Sequence, residues 1–582
     1  MNKKLVTLLT GLMFSIAGAW ADDEPFVVWD ETNRTLYFDY GIAPEKGASY
    51  TLPDGASVTA TNRWTGESVI SGTGWYNDNS VSPEKAVFFP AFSKARPTSC
   101  DLWFAWYPRL TEIQGLEYLN TSQVVDMMRM FARTALTSLD LRHFDTSKVL
   151  NMREMFYDCK SLKTLDVSTF NTSQVVDMTQ MFYNCDGLVS LDLSSFNTEK
   201  VESMSQMFAG CNSLTSLNLS TFNTANVTNM SEMFQSCEAL PTLDLGSFNT
   251  GKVEEMRYMF SGCKSLTSLD LHLFDTGKVT NMIGMFSGME SLTSLDISTF
   301  KTATVTSMSY MFNNCKKLKS LDLGHFNTAS VTDMSYMFYF CQNLSKLNIS
   351  TFNTANVKYM SYMFCTCQSL KSINLGSFDT SNVEYMSQMF SGCKALTTLD
   401  LRSFNVPNLL YAQSMFSSCS ALRTIKFGDF DTSNILNMSS MFDGCESLKA
   451  LNLRSFKTSM VQYFTNMFRG CSSLKTIYVN VWSKDNMFNG GDMFEGCISL
   501  VGQKGTTYDN AHKDHTYACI DGGSEGSGYF TYRSNTAPKA DKSAVPVAVE
   551  GIMSETSANI DADINGDGVI DVSDIVEMVM AK

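Results

Sequence analysis

One phrase recurs along most of this sequence and limits its fold more than any other feature. From Cys185 to Phe208 the chain reads C-D-G-L-V-S-L-D-L-S-S-F-N-T-E-K-V-E-S-M-S-Q-M-F, and Cys211 restarts the phrase 26 residues after Cys185. Cysteine returns at 237 and 263, gives way to Met289, and resumes from 315 to 497. The Met-Phe pair ends at Phe131, Phe156 and Phe182, then every 26 residues to Phe494; that makes 15 copies, with one residue deleted between the first two. A fixed period of this length specifies a solenoid, in which each unit stacks only on its neighbours. A lone unit of this size has too little apolar area to offset the entropy of ordering it, so the array folds by stacking or not at all.

One rung reads chemically. Leu188, Leu191 and Leu193 are spaced L-x-x-L-x-L, with Leu191 and Leu193 inward and Asp192 outward, as in a half-buried strand. Phe196 turns inward, and Asn197-Thr198 closes the strand with side chains suited to bonding a turning backbone. Val201, Met204, Met207, Phe208 and Cys211 follow at helical spacing. This predicts a short helical or 3-10 segment, with a second short strand over 201–204 as the other reading. The fold class expected is therefore a leucine-rich-repeat-like solenoid of stacked parallel β-strands with short helical or 3-10 segments.

The flanks differ. Residues 1–21 read as a Sec-type signal peptide: Lys3 and Lys4, the apolar run Leu5–Ala19, then Ala19-Trp20-Ala21 with cleavage after Ala21. Residues 22–98 carry no repeat and hold extended candidates at Thr35–Tyr40 and Ala86–Phe92, which predicts a small β-rich N-terminal cap. The solenoid is expected over 99–497, a C-terminal cap over 498–533, a linker over 534–558 and a short acidic segment over 559–582. No later stretch approaches a transmembrane helix, so the mature chain is expected to be exported, with no span. The net charge of −15 argues against a nucleic-acid partner, which needs a basic face.

Sixteen cysteines in an exported chain usually suggest disulfides. Thirteen of them share one repeat position, and Met289 fills the missing slot, which suits a buried apolar site better than a covalent one. Buried free thiols, bridges between neighbouring rungs and metal binding all stay open on spacing alone.

The phrase L-x-x-L-D-L-S-x-F-N-T-x-x-V-x-x-M-x-x-M-F-x-x-C resembles the BspA-like leucine-rich-repeat surface proteins of bacteria, in their 26-residue Met-Phe variety. The likeness covers about residues 96–535, including the lead-in Arg96-Pro97-Thr98-Ser99 and the tail Ile520-Asp521-Gly522-Gly523. It implies a secreted or surface protein acting in adhesion, with a protein or glycan partner on a host or neighbouring cell surface.

Two constellations carry candidate chemistry. The residue between the inward leucines is Asp at Asp140, Asp166, Asp192, Asp244, Asp270, Asp296, Asp322 and Asp400, and Asn at 218, 348, 374 and 452; Lys426 and Tyr478 break the column. Carboxylates stacked at strand spacing repel. The column is either solvated and hydrogen-bonded along the stack or a polar, ligand-facing ladder. The second constellation is Asp563-Ile-Asn565-Gly-Asp567-Gly568-Val569-Ile-Asp571-Val-Ser-Asp574, an EF-hand-like loop. Side-chain oxygens of Asp563, Asn565, Asp567, Asp571 and Asp574 with the carbonyl of Val569 form the hard-oxygen set that calcium requires. Asp at the last position resembles dockerin modules. That implies a cohesin-like partner, met by Val572 and Ser573. Dockerins pair two such loops, and one is found here.

His512, Asp514, His515 and Cys519 have zinc-ligand chemistry without zinc-ligand spacing, and read as a polar turn. No phosphate loop, G-x-S-x-G or H-E-x-x-H is present, and a repeated column is a poor way to build one unique site, so no enzyme is expected. The leading expectation is a repeat protein that binds macromolecules through its solenoid face. The other is a structural subunit of an extracellular assembly, attached through the dockerin-like segment.

Overall fold

The computed structural model describes residues 23–72 and 74–534. The signal peptide (1–21), the linker beyond Ser534 and the dockerin-like segment (559–582) with its EF-hand-like loop lie outside the described residues. The chain forms two compact units, Met1–Val227 and Thr228–Lys582. In both, the repeats form a parallel β-solenoid, about 15 turns in all.

The first unit opens with a five-stranded sheet ordered Asn62–Thr65, Glu24–Asp30, Thr35–Gly41, Lys85–Phe88 and Glu112–Gln114. Its first two pairings are antiparallel and its last two parallel. The extended stretch expected over Ala86–Phe92 ends at Phe88, because Pro90 opens a 3-10 turn over Pro90–Lys94. Phe38 stacks on Phe88 at 4.2 Å and meets Trp75 edge-on at 5.3 Å, and these rings cover the first rung's Trp103 and Phe104. Rungs follow in register: Ser190, Leu191 and Asp192 pair with Ser216, Leu217 and Asn218. In the second unit Ser320–Asp322 pairs with Lys346–Asn348 in the same way. That unit closes with Phe530–Tyr532 laid parallel on Thr476–Val479.

Each rung buries the side chains the period selects. Leu188, Leu191, Leu193, Phe196, Val201, Met204, Met207, Phe208 and Cys211 are all buried, as is Met289. The Met-Phe phenylalanines stack along each unit: Phe156, Phe182 and Phe208 at 5.6 and 5.8 Å, and Phe312, Phe338 and Phe364 at 5.6 and 5.5 Å.

The helical or 3-10 segment expected after Val201 is not formed. Its place holds one β-bridge residue, such as Asp177 paired with Ser203, followed by a run of turns. Gln180 and Asn184 take left-handed φ of 57° and 53°, which no α-helix tolerates. Every second N–H then points to the next rung. Gln180, Phe182 and Asn184 donate to the carbonyls of Ser205, Met207 and Ala209 at 2.9, 2.9 and 2.7 Å. The intervening Met181, Tyr183 and Cys185 donate three residues back within the rung. Inward spacing resembles a helix because the turns are locally helix-like, but half the backbone bonding is between rungs.

A buried threonine closes most of the strands. Thr328 donates its hydroxyl to the Asn353 carbonyl at 2.8 Å and accepts the Asn353 N–H at 2.8 Å, so one side chain satisfies both backbone groups of the next rung. Val406 takes that place in one rung and Lys484 in another. Thr328→Val keeps the shape and strands a buried N–H and C=O. It should lower stability by about 2 kcal/mol in urea unfolding, with Thr328→Ser recovering most of the loss.

Candidate functional site

The acidic column lies exposed on the strand face. Its carboxylates have local work: Asp166 accepts the Ser168 N–H at 3.0 Å, Asp244 the Gly246 N–H at 2.9 Å and Asp296 the Ser298 N–H at 3.0 Å. Asp192 and Asp322 each accept two bonds, from their own turn and from the amides of Asn218 and Asn348 one rung on, at 3.0 and 2.7 Å. Asp140, Asp270 and Asp400 cap their turns and bind Arg142, His272 and Arg402 through the side chain. Turn N–H donors hold the carboxyls of Asp192, Asp296 and Asp322 below the usual carboxylate range. The Arg142 and Arg402 guanidiniums do the same for Asp140 and Asp400. Asparagine caps equally well, as Asn374 does for the Gly376 N–H at 3.0 Å, which explains the Asp/Asn mixture. The calcium-loop residues Asp563, Asn565, Asp567, Val569, Asp571 and Asp574 lie outside the described residues.

In the C-terminal cap His512 bonds Asp509 at 3.0 Å and packs on Tyr517, while the Cys519 thiol donates to the Ser527 carbonyl. Among the described residues no His, Cys, Asp and Glu group could hold a metal ion.

In the first unit a surface cavity of about 390 Å³ is lined by Trp106, Pro108, Arg133, Asp158, Lys160 and Ser161, among others. The Arg133 guanidinium lies 4.8 Å over the Trp106 ring, and Asp158 sits 3.3 Å from Arg133 and 3.2 Å from Lys160. Its polar groups largely answer one another.

A set of outward tyrosines, off the leucine strand, was not among the residues expected to bind. Tyr359, Tyr385 and Tyr411 occupy successive bridge positions, as does Tyr463 further along. Their 26-residue spacing was the available signal.

Six overlapping segments, 101–216, 186–271, 238–321, 267–348, 316–426 and 412–522, match the family described as "Mycoplasma protein of unknown function, DUF285". The chain belongs to that family. Among solved structures, this DUF285 chain is similar to a leucine-rich repeat protein from Bacteroides ovatus at 15% identity. That match covers 76% of this chain and 99% of the other, with a TM-score of 0.29. A leucine-rich repeat protein from Eubacterium ventriosum matches at 16% identity over 73% of this chain and 93% of its own, with a TM-score of 0.29. A leucine rich cell surface protein from Faecalibacterium prausnitzii matches at 14% over 75% and 92%, with a TM-score of 0.26. No curated protein matches the chain. Among the described residues no helix is long and apolar enough to cross a membrane.

All sixteen cysteines are buried, and none forms a disulfide. Within the column the thiols donate to the preceding rung's phenylalanine carbonyl, as Cys185 does to Phe156 at 3.1 Å and Cys341 to Phe312 at 3.0 Å. Burial pushes the thiols of Cys211, Cys263 and Cys341 up to about 12. At pH 8 the native DUF285 chain should therefore resist maleimide labelling at these cysteines and label fully only in denaturant. Peptide mapping without reductant should recover the column cysteines unlinked.

Proposed function

We propose that this chain is a secreted or cell-surface bacterial protein that binds macromolecular partners through the exposed faces of its rungs. One observation carries the reading. Inward positions repeat almost without change, whereas outward positions on the same backbone vary from acid to amide to aromatic. Packing demands the first group and leaves the second free, and solenoids recognise partners on such open faces. The acidic column contributes a carboxylate-rich strip on the strand face, suited to basic or cation-bridged partners. No chemistry of bond making is assigned to it.

A second reading rests on the motif between Asp563 and Asp574. Its donors fit calcium, a hard cation that takes carboxylate, amide and carbonyl oxygens. Asp563, Asn565, Asp567, Asp571 and Asp574 would hold the ion with the Val569 carbonyl. The segment would then attach the chain to a cohesin-like domain, with the solenoid as a spacer in an extracellular assembly.

The chain from residue 22 and a variant lacking 559–582 separate the two readings on arrays of matrix proteins and glycans. In the leading reading both bind alike, and replacing Asp166, Asp192 and Asp244 with Asn, which keeps the turn caps, weakens binding of basic partners without changing the melting temperature. Silence of both on every array would overturn it. Calcium titration of the full chain by calorimetry should give heat that Asp563→Ala abolishes; no heat removes the calcium assignment.

A further inference from the structure

The bridge column changes character along the second unit. Asn229, Glu255, Asn281, Ser307 and Asp333 come first, then Tyr359, Tyr385 and Tyr411, then Asn437, Tyr463 and Asn489. Every one of these residues makes the same parallel bridge. Aromatic rings are therefore not needed to form the rung, yet Tyr411 and Tyr463 remain 36% and 38% exposed. Exposed aromatic side chains that packing does not demand mark recognition surfaces.

The tyrosines form a broken ladder. Tyr359 stacks on Tyr385 at 5.2 Å, and Tyr385 on Tyr411 at 5.4 Å with the ring planes 14° apart. One face of Tyr411 is thus covered by Tyr385, and among the described residues no ring covers the other. The next bridge residue is Asn437, too short to do so. Tyr463 stands beyond Asn437, its ring backed by Phe488 at 6.0 Å. Two strand spacings, about 10 Å, separate the two tyrosine positions. That spacing matches the thickness of a puckered six-membered ring held in van der Waals contact between two aromatic rings.

The lining selects the occupant. In a chain of net charge −15, the three rungs spanning the gap carry no ionisable side chain other than the tyrosines over 410–414, 436–440 and 462–466. At these positions stand Leu410, Leu436 and the amide side chains of Gln462 and Asn466, and Asn437 between the tyrosines accepts the Ser439 N–H through Oδ1 at 2.8 Å. A basic peptide would be drawn to the acidic columns instead, and a polyanion repelled by them. Uncharged apolar faces edged with amides complement a neutral pyranose, which offers C–H faces and hydroxyl edges. We propose that the gap at Asn437, between Tyr411 and Tyr463, binds a sugar ring of a neutral polysaccharide whose chain continues along the tyrosine column. This deepens the macromolecule-binding reading and rests on it.

The test is affinity electrophoresis of the chain from residue 22 through gels containing soluble starch, laminarin, xyloglucan or galactomannan, with heparin as the polyanion. At least one neutral polymer should retard the protein, and heparin should not. Tyr411→Ala should weaken retardation about ten-fold or more, and Tyr411→Phe should keep most of it. Asn437→Tyr fills the gap with a residue the column already accepts. It should abolish binding while the chain still unfolds cooperatively, because the tyrosine rungs form the same bridge without the bond that Asn437 Oδ1 accepts from the Ser439 N–H. Retardation unaffected by Asn437→Tyr, or none by any neutral polymer, overturns the proposal. If matrix proteins bind while all four polymers fail, the glycan inference falls and the broader reading stands; if neither class binds, both fall.

Discussion

Backbone hydrogen bonding between rungs is the constraint on which this structure depends. A rung contains only three or four residues of regular strand, so most of its peptide groups have no partner within a sheet or helix. Buried peptide groups must be paired. The alternation seen at Gln180, Phe182 and Asn184 answers that demand: one N–H goes to the next rung and the following one turns back locally. The threonine column adds a side chain that serves both backbone groups of its neighbour. Apolar burial drives the stacking, but these bonds fix its register, because a slip leaves a whole row unpaired.

This division of labour frees the outside. Once Met204, Phe208 and Cys211 have filled the interior and the turn has been capped, the outward side chains carry no further structural duty beyond compatibility with a bridge or turn. Aspartate and asparagine persist on the strand face because either oxygen caps the N–H two residues on. Elsewhere the surface is open to change, and the shift from Asp333 to Tyr359 one rung later alters its chemistry without altering its backbone. Recognition can therefore differ among stretches of one solenoid.

The inside of the rung was legible in the sequence. Leu191, Phe196, Met207 and Phe208 repeat at fixed intervals, and repetition exposes inward positions with no knowledge of geometry. The helix expected after Val201 was misread for a physical reason: the inward spacing of a turn run matches that of a short helix. The left-handed φ at Gln180 and Glu232, where no glycine advertises it, leaves no mark in composition. The acidic column could be read as a set from its spacing, but capping by Asp192 could not be told from an outward-facing ligand strip without knowing where the Ser194 N–H points. The tyrosine column was readable at its 26-residue spacing and was passed over because it lies off the leucine strand.

The same interface on the two sides of a rung has a genetic consequence. Duplicating or losing one whole 26-residue unit rejoins surfaces that already fit, so unequal crossing-over lengthens or shortens such a chain without a folding penalty. Point changes such as Met289 for cysteine must satisfy a crowded interior, whereas copy-number changes need satisfy nothing new. Rearrangement of whole units would also move the gap at Asn437 relative to its neighbours, giving lineages a route to new surface patterns that leaves the core untouched.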